Sequence, residues 1–136
     1  MVKFGSLLAV SLLLASTVEA VDSIWTPGTT TNWNLSTNWT PNHVPNSASD
    51  TATFNQSTPS TTISLASNST INSLTFNTIT PYTISDATET LSFNGPAPAI
   101  NVLSGNHTLN IGMHLLFDTA LDVNPGSSIT FGANTQ

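Results

Sequence analysis

The sequence predicts an all-β fold in which very short strands stack into a parallel β-solenoid. Three observations support this prediction: apolar residues recur in alternating pairs, turn-forming residues fill the gaps between the pairs, and the polar residues between them are almost all uncharged. No helical periodicity follows residue 20, which argues against an α-helical bundle.

The alternating pairs are the main evidence for strands. Each pair consists of two apolar residues separated by one other residue, so both apolar side chains point to the same face of an extended segment. The intervening residue is usually Thr, Ser or Asn, and it points to the opposite face. The pairs after residue 50 are Ala52/Phe54, Ile63/Leu65, Leu74/Phe76, Tyr82/Ile84, Leu91/Phe93, Ile100/Val102, Leu109/Ile111, Leu115/Phe117, Leu121/Val123 and Ile129/Phe131.

The spacing of the pairs favours a solenoid over an antiparallel β-sandwich, which is the alternative. Successive pairs are roughly six to eleven residues apart, with turn formers such as NGPAP (94–98) and NPG (124–126) between them. Three short strands with their turns would make one coil of roughly 20 to 26 residues. Sandwich strands are usually longer and often have charged outer faces. Stacked coils place like side chains above one another, so they favour uncharged outer positions.

Residues 1–20 have the features of a signal peptide. Lys3 supplies a positive charge, residues 7–15 form an apolar run too short to span a bilayer, and the VEA sequence at 18–20 places small residues at alternate positions before a cleavage site. We therefore expect an exported protein whose mature chain begins at Val21.

The charge and cysteine content narrow the class of protein further. Lys3 is the single Lys or Arg of the sequence, so the mature chain would have no cationic side chain except histidine. Nucleic acids and anionic lipid surfaces are poor partners for such a chain, because affinity for phosphate comes mainly from Lys and Arg. No second apolar run is long enough to cross a membrane. The sequence also has no cysteine, so disulfides cannot stabilise the fold.

Residues 21–50 are rich in Trp, Pro and Asn and are predicted to form an N-terminal cap segment. The pattern W…W…NW…P…VP…SDTATF runs through Trp25, Trp33 and Trp39 to Phe54. Together with the later stretches INSLTFN, YTISDATETLSFNG, AINVLSGNHTLNIGMHLLF and LDVNPGSSITFG, it resembles the N-terminal start of bacterial autotransporter-type passenger proteins that carry autotransporter-associated β-strand repeats. The resemblance covers essentially the whole mature chain.

The resemblance implies a single-stranded right-handed parallel β-helix that is secreted or displayed at a bacterial cell surface. Such proteins typically serve adhesion, aggregation or cell-envelope interaction. Residues 51–136 would then be the first coils of a longer, truncated solenoid, since no polar end cap and no C-terminal translocator barrel follow them in this sequence. Because this sequence contains no such barrel, it does not support self-export across an outer membrane.

The three tryptophans have two possible roles. The favoured one is packing over the open end of the first coil, with nearby prolines preventing further backbone pairing. The alternative makes Trp25, Trp33 and Trp39 binding residues of a carbohydrate-stacking platform, with Asn side chains reaching the sugar hydroxyls.

The sequence offers no convincing catalytic or metal-binding arrangement. The letters SGNH at 104–107 spell the name of a hydrolase class, but that class draws its four residues from separated blocks of sequence, and no nucleophile elbow is present. His107, His114 and Asp118 have spacings that match no recognised metal cluster. We expect no catalytic residues, no metal and no cofactor.

We therefore predict an exported, adhesin-like structural module without catalytic activity. Its expected partners are glycans on cells or in the matrix, or other copies of itself. The alternative is a carbohydrate-binding module of a larger secreted enzyme. A third hypothesis, a polysaccharide lyase β-helix, would require further coils to supply clustered acids and a basic residue.

Overall fold

The computed structural model describes residues 19–28, 30–58 and 61–132. All but the last two residues of the predicted signal peptide lie outside the described residues, as do the last four residues of the chain. Within the described residues the chain forms short β-strands and one 3₁₀ turn, Ser36–Asn38, without an α-helix. The strands are β1 (Asp22–Trp25), β2 (Trp39–Thr40), β3 (Thr51–Phe54), β4 (Thr62–Ile63), β5 (Ser69–Ile71), β6 (Ser73–Asn77), β7 (Thr83–Phe93), β8 (Ala99–Ser104), β9 (Asn106–Leu115), β10 (Ala120–Val123) and β11 (Ser128–Phe131).

The strands form two parallel sheets. In the first sheet, β1, β3, β6, β8 and β10 lie side by side, and β2 is added antiparallel to the outer edge of β1. In the second sheet, β4, β7, β9 and β11 lie side by side, and β5 pairs with the second half of β7. The predicted parallel β-solenoid is therefore confirmed. The antiparallel sandwich is wrong, because every strand pair of the described residues except β1 with β2 is parallel.

Each of the three central coils contains one strand segment of the first sheet and two of the second, and the solenoid has about 4 turns. In the first sheet, Leu74 pairs with Ile100 and Ile100 with Leu121, which corresponds to coil lengths of 26 and 21 residues. These lengths agree with the predicted range. The right-handed sense of the coil stays a prediction.

The core is a narrow column filled by the alternating apolar side chains. Ala52, Leu74 and Ile100 stack in one ladder of the first sheet, and Ile63 and Ile84 stack in the second. In seven of the ten predicted pairs both members are buried. These pairs are Ala52/Phe54, Ile63/Leu65, Leu74/Phe76, Tyr82/Ile84, Leu91/Phe93, Ile100/Val102 and Leu109/Ile111.

The last three predicted pairs differ from the others. Leu121, Val123 and Phe131 extend the inward ladders but remain exposed, because none of the described residues packs over the last coil. The pair Leu115/Phe117 was predicted with the right phase but two residues too far along the chain. The inward residues of this segment are Met113 and Leu115, which pair with Leu91 and Phe93, whereas Phe117 lies beyond the end of β9.

The second sheet has a corner at which the alternation changes phase in β7 but not in β9. Ser85 pairs with Asn110, and Thr90 pairs with Gly112. Four residues therefore lie between the two paired positions in β7, and only Ile111 lies between them in β9. In β7 the inward positions pass from Ile84 to Leu91, which changes the phase of the alternation, whereas in β9 Leu109, Ile111 and Met113 continue it without a break. A simple alternation with period two cannot detect such a corner.

Gly105 forms the sharp turn between β8 and β9. Its φ of 88° lies in the left-handed region, and a Cβ at this position would be 2.2 Å from the carbonyl oxygen of Thr78 in the preceding coil. Glycine is therefore required here both by the backbone conformation and by the close stacking of successive turns.

Asparagine side chains link the turns of neighbouring coils. Asn34 Oδ1 accepts hydrogen bonds from the backbone N–H groups of Ala66 and Ser67, at 2.7 and 3.2 Å. Asn68 Oδ1 accepts one from the N–H of Thr90 at 2.8 Å. These bonds satisfy backbone donors at the corners, where the strand ladders are interrupted.

Truncation of one inward leucine should depend on how many coils cover it. Leu74 is fully buried and Leu121, two coils further along the same ladder, is 53% exposed. Leu74→Ala should lower the free energy of unfolding by about 2–5 kcal/mol, and Leu121→Ala by about 1 kcal/mol or less. Urea denaturation followed by circular dichroism measures both. Equal losses would mean that the last coil is covered in solution.

Candidate functional site

The segment before β3 folds back over the first coil. β2 pairs antiparallel with β1, placing Trp39 opposite Trp25 and Thr40 opposite Ile24. Pro41 follows immediately through a cis peptide bond, and its missing N–H group ends the pairing. The outer edge of the first strand is therefore covered by the chain's own backbone.

The three tryptophans lie together inside this fold. Trp39 packs edge-to-face against Trp25 and Trp33, with ring centroids 4.9 and 4.8 Å apart. Trp39 Nε1 donates to the carbonyl oxygen of Trp33 at 2.7 Å, and Trp33 Nε1 donates to that of Pro45 at 3.2 Å. Phe54 lies under all three rings at 5.7 to 6.2 Å. We call Trp25, Trp33, Trp39 and Phe54 the indole cluster.

The burial of these rings bears on their predicted role in stacking against sugars. Trp25 and Trp33 are 0% exposed and Trp39 is 1% exposed, so no indole presents a face to solvent. A sugar from solution could stack on them only if the cap opened. The prediction that Trp25, Trp33 and Trp39 stack against glycans stays untested, and the burial of the three rings argues against it. Their positions favour packing over the first coil.

A buried carboxylate lies at the end of the same segment. Asp50 is 1% exposed; its Oδ2 atom is 2.9 Å from His43 Nε2 and accepts the backbone N–H of Asn46 at 3.0 Å. Its Oδ1 atom accepts the backbone N–H of Val21 at 3.3 Å. Burial opposes ionisation, but the bonds from His43, Asn46, Ser47 and Val21 outweigh it, so the pKa of Asp50 lies below its ordinary value. Asp50 is therefore a buried anion at neutral pH.

A column of aromatic rings runs from the indole cluster along the core. Phe54 stacks on Phe76 at 5.2 Å, and Phe76 stacks on His107 at 4.2 Å with an interplanar angle of 12°. His107 takes an inward position above Tyr82 in the second sheet, because Thr83 pairs with Thr108. The column therefore ends in a titratable ring within the core.

The hydrogen bonds of His107 determine its tautomer. Nδ1 accepts the backbone N–H of Tyr82 at 3.2 Å, so Nε2 carries the proton and donates to the carbonyl oxygen of Ser104 at 2.9 Å. Burial lowers the pKa of His107, and the carbonyl groups of Ser104 and Thr78 oppose this only in part. Protonation would also place an N–H on Nδ1 facing the N–H of Tyr82.

The remaining predicted chemistry residues are not brought together. Ser104 and His107 interact through the Ser104 carbonyl group and not its hydroxyl, which is no nucleophile–base arrangement. His114 and Asp118 are exposed. No group of three metal-ligating side chains forms among the described residues.

Two depressions on the described surface are large enough to consider as ligand sites. A groove of about 300 Å³ opens at the last coil, lined by Ile100, Met113, Leu121 and Phe131 among others. It is apolar and offers few groups that could orient a ligand. A shallower, more polar depression of about 250 Å³ lies at the corner of the second sheet beside Asp86 and Asn110.

Sequence reasoning missed the pairing of His43 with Asp50 and the inward position of His107. For His107 a signal existed: the stretch NHTLNI alternates His107, Leu109 and Ile111, so the pair Leu109/Ile111 extends by one position toward the N-terminus. For Asp50 the partners Val21 and His43 come from different turns, and no local pattern joins them.

The buried His107 should make stability depend on pH. Its pKa in the folded protein lies below the 6.5 of the unfolded chain, so the unfolded chain binds the proton first. The contribution is fully present above pH 6.5 and is lost as the pH falls, at up to about 1.4 kcal/mol per pH unit. Urea unfolding between pH 8 and pH 5 measures this slope.

Two variants assign the slope. His107→Phe should flatten it, although loss of the bonds to Ser104 and Tyr82 should also lower stability at pH 8. His114→Phe changes an exposed histidine of the same strand and should keep the slope. Identical pH profiles in both variants would contradict the assignment to His107.

Trp39→Ala tests the two roles of the tryptophans. Loss of a fully buried indole should lower the free energy of unfolding by about 3–5 kcal/mol, because it leaves a cavity between Trp25, Trp33 and Phe54. Leu35→Ala, in the same segment but 39% exposed, is the control with little expected loss. Urea unfolding and a glycan-binding assay are the measurements. Unchanged stability with lost glycan binding would support the stacking platform instead.

No helix among the described residues is long and apolar enough to cross a membrane. Comparisons with protein-family models, with curated proteins and with solved structures found no match to this chain.

Proposed function

We propose that this chain is an exported, adhesin-like β-helical module of the autotransporter passenger type, secreted or held at a bacterial cell surface, without catalytic activity. Its partners are neutral polymers such as cell-surface or matrix glycans, or further copies of the chain. The outer face of the first sheet is the proposed contact surface.

The single observation that carries the proposal is the neutrality of the central part of this face, which lies between Asp22 of β1 and Asp122 of β10. Thr53, Thr75 and Asn101 lie above one another in the parallel ladder and are partly exposed. Asn101 Nδ2 donates to Thr75 Oγ1 at 3.3 Å, which links two coils. The three central strands β3, β6 and β8 contain no charged residue.

Such a face is suited to uncharged polymers. Hydroxyl and amide groups recur at the strand spacing of about 4.8 Å, and each both donates and accepts hydrogen bonds. A flat neutral lattice does not repel a glycan, and it lacks the cations that would attract phosphate. The repeated weak contacts of a long polymer add up by multivalency, so no deep pocket is needed.

The surroundings of Asp86, beside the polar depression of the second sheet, support a role without catalysis. Asp86 accepts hydrogen bonds from the backbone N–H groups of Thr88 and Glu89, which lower its pKa. An acid held ionised in this way is a poor proton donor. Glycoside hydrolysis needs a carboxylic acid with a raised pKa and a second carboxylate across the scissile bond.

A carbohydrate-binding module of a larger secreted enzyme is the second candidate, because the same neutral face favours it. The two candidates differ in what accompanies binding. An adhesin would bind cells or matrix polymers without cleaving them, whereas a secreted enzyme that carries a carbohydrate-binding module would release soluble sugar.

The direct test uses the full chain exported from a bacterial host. Binding to cells and to insoluble polysaccharide is measured by co-sedimentation, and sugar release by a reducing-end assay. We expect binding without sugar release. Absence of binding together with sugar release would overturn the proposal.

Paired variants locate the contact surface. Thr75→Ala with Asn101→Ala removes two hydrogen-bonded polar side chains from the first sheet's face, and Ser85→Ala with Asn110→Ala removes a matched pair from the second sheet, also joined at 3.3 Å. The first double variant should lose on the order of tenfold in apparent affinity, and the second less than about twofold. Equal losses would place the contact surface elsewhere.

A further inference from the structure

We propose that hydrolysis of the Ala20–Val21 peptide bond gives Val21 a free α-ammonium group that forms an ion pair with the carboxylate of Asp50. The removal of the leader would thereby complete the cap of the solenoid. This inference rests on the export that the proposed function requires, and it assigns a structural role to the product of processing.

Val21 is already held beside Asp50. Its nitrogen is 3.3 Å from Asp50 Oδ1, and its carbonyl oxygen accepts the backbone N–H of Thr51 at 3.0 Å. The next residue, Asp22, begins β1 and pairs with Thr51 in β3. A chain that begins at Val21 would therefore present its amino group to this carboxylate without rearrangement.

Asp50 lacks a strong cationic partner. No lysine or arginine lies among the described residues, and His43, its charged partner when protonated, has a side chain that is 42% exposed. A buried carboxylate needs several hydrogen bonds or a nearby positive charge. Oδ2 has His43 and the N–H of Asn46 at 2.9 and 3.0 Å, whereas Oδ1 has the longer contact to Val21.

Cleavage would strengthen this longer contact. The amide nitrogen of Val21 has one N–H donor and no charge, whereas an α-ammonium group has three donors and a full positive charge. Charge-assisted bonds of this kind are shorter, at about 2.7–2.9 Å, and roughly twice as strong as neutral ones. The other titratable groups beside the pair are His43, Asp22 and, until cleavage, Glu19.

The scissile bond lies where the chain enters the fold. Glu19 and Ala20 are exposed, whereas Val21 is partly buried and hydrogen-bonded on both sides. The VEA sequence at 18–20 has the small residues that a signal peptidase requires. In the hydrolysis, water adds its oxygen to the Ala20 carbonyl carbon, the C–N bond breaks, and Val21 leaves as an amine that is protonated at neutral pH.

The first experiment identifies the new N-terminus. The full chain is produced in an exporting bacterial host, and the exported protein is subjected to N-terminal sequencing and intact-mass measurement. The expected first residue is Val21. An unprocessed chain, or one that begins at another residue, would overturn the inference.

The second experiment measures the pKa of the Val21 amino group by NMR in protein carrying ¹³C-labelled valine. In the folded protein this pKa should lie above its value in concentrated urea, where an α-amino group titrates near about 7.7–8.0. Asp50→Asn should remove the increase, and Asp118→Asn, an equal charge change at an exposed site of the last coil, should keep it.

Equal pKa values in the folded and urea-unfolded wild type would disprove the ion pair, even if Asp50→Asn fails to fold. The outcomes also separate this inference from the proposed function. A Val21 N-terminus with an ordinary amino pKa refutes the ion pair and leaves the adhesin role standing. A raised pKa in a protein that binds neither cells nor glycans refutes the adhesin role and leaves the ion pair standing.

Discussion

The in-register parallel pairing of successive coils is the constraint on which the rest of this structure depends. Each inward side chain packs directly on its counterpart one coil away, as Ala52, Leu74 and Ile100 do. Two buried residues per strand are then enough to fill a narrow core. Each outward residue lies beside the residue at the equivalent position of the neighbouring coil. Like charges at these outward positions would repel at about 4.8 Å, so the outer face has to be almost neutral.

The same constraint makes the two ends of the column different from its middle. At the first coil, β2 turns back to pair with β1, and the indole cluster covers the apolar surface below it. At the last coil, Leu121 and Phe131 continue the inward ladders but remain exposed among the described residues. The first end is covered by aromatic side chains, and the indole N–H groups of Trp33 and Trp39 donate hydrogen bonds to backbone carbonyl groups, without any disulfide.

The polar groups inside the fold are satisfied mainly by the backbone. His107 bonds to the N–H of Tyr82 and the carbonyl group of Ser104, and Asp50 accepts the N–H groups of Val21 and Asn46. Burial favours the neutral form of both groups, but the results differ: desolvation keeps His107 neutral, whereas hydrogen bonds overcome desolvation and keep Asp50 charged. At neutral pH the buried His107 is therefore uncharged, whereas the buried Asp50 is ionised.

The sequence by itself determined the features that depend on neighbouring residues. Alternation with period two identified the inward residues of Leu74/Phe76 and Ile100/Val102, because strand geometry sends every second side chain to the same face, and the uncharged intervening residues indicated stacked coils. Only the tertiary structure decided what depends on contacts between distant residues. Pairing with β7 made Met113 and Leu115 the last inward residues of β9, β2 placed Trp39 against Trp25, and Val21 came into contact with Asp50, 29 residues away in sequence. These contacts arise from how one coil lies on the next, and local backbone periodicity contains no information about that placement.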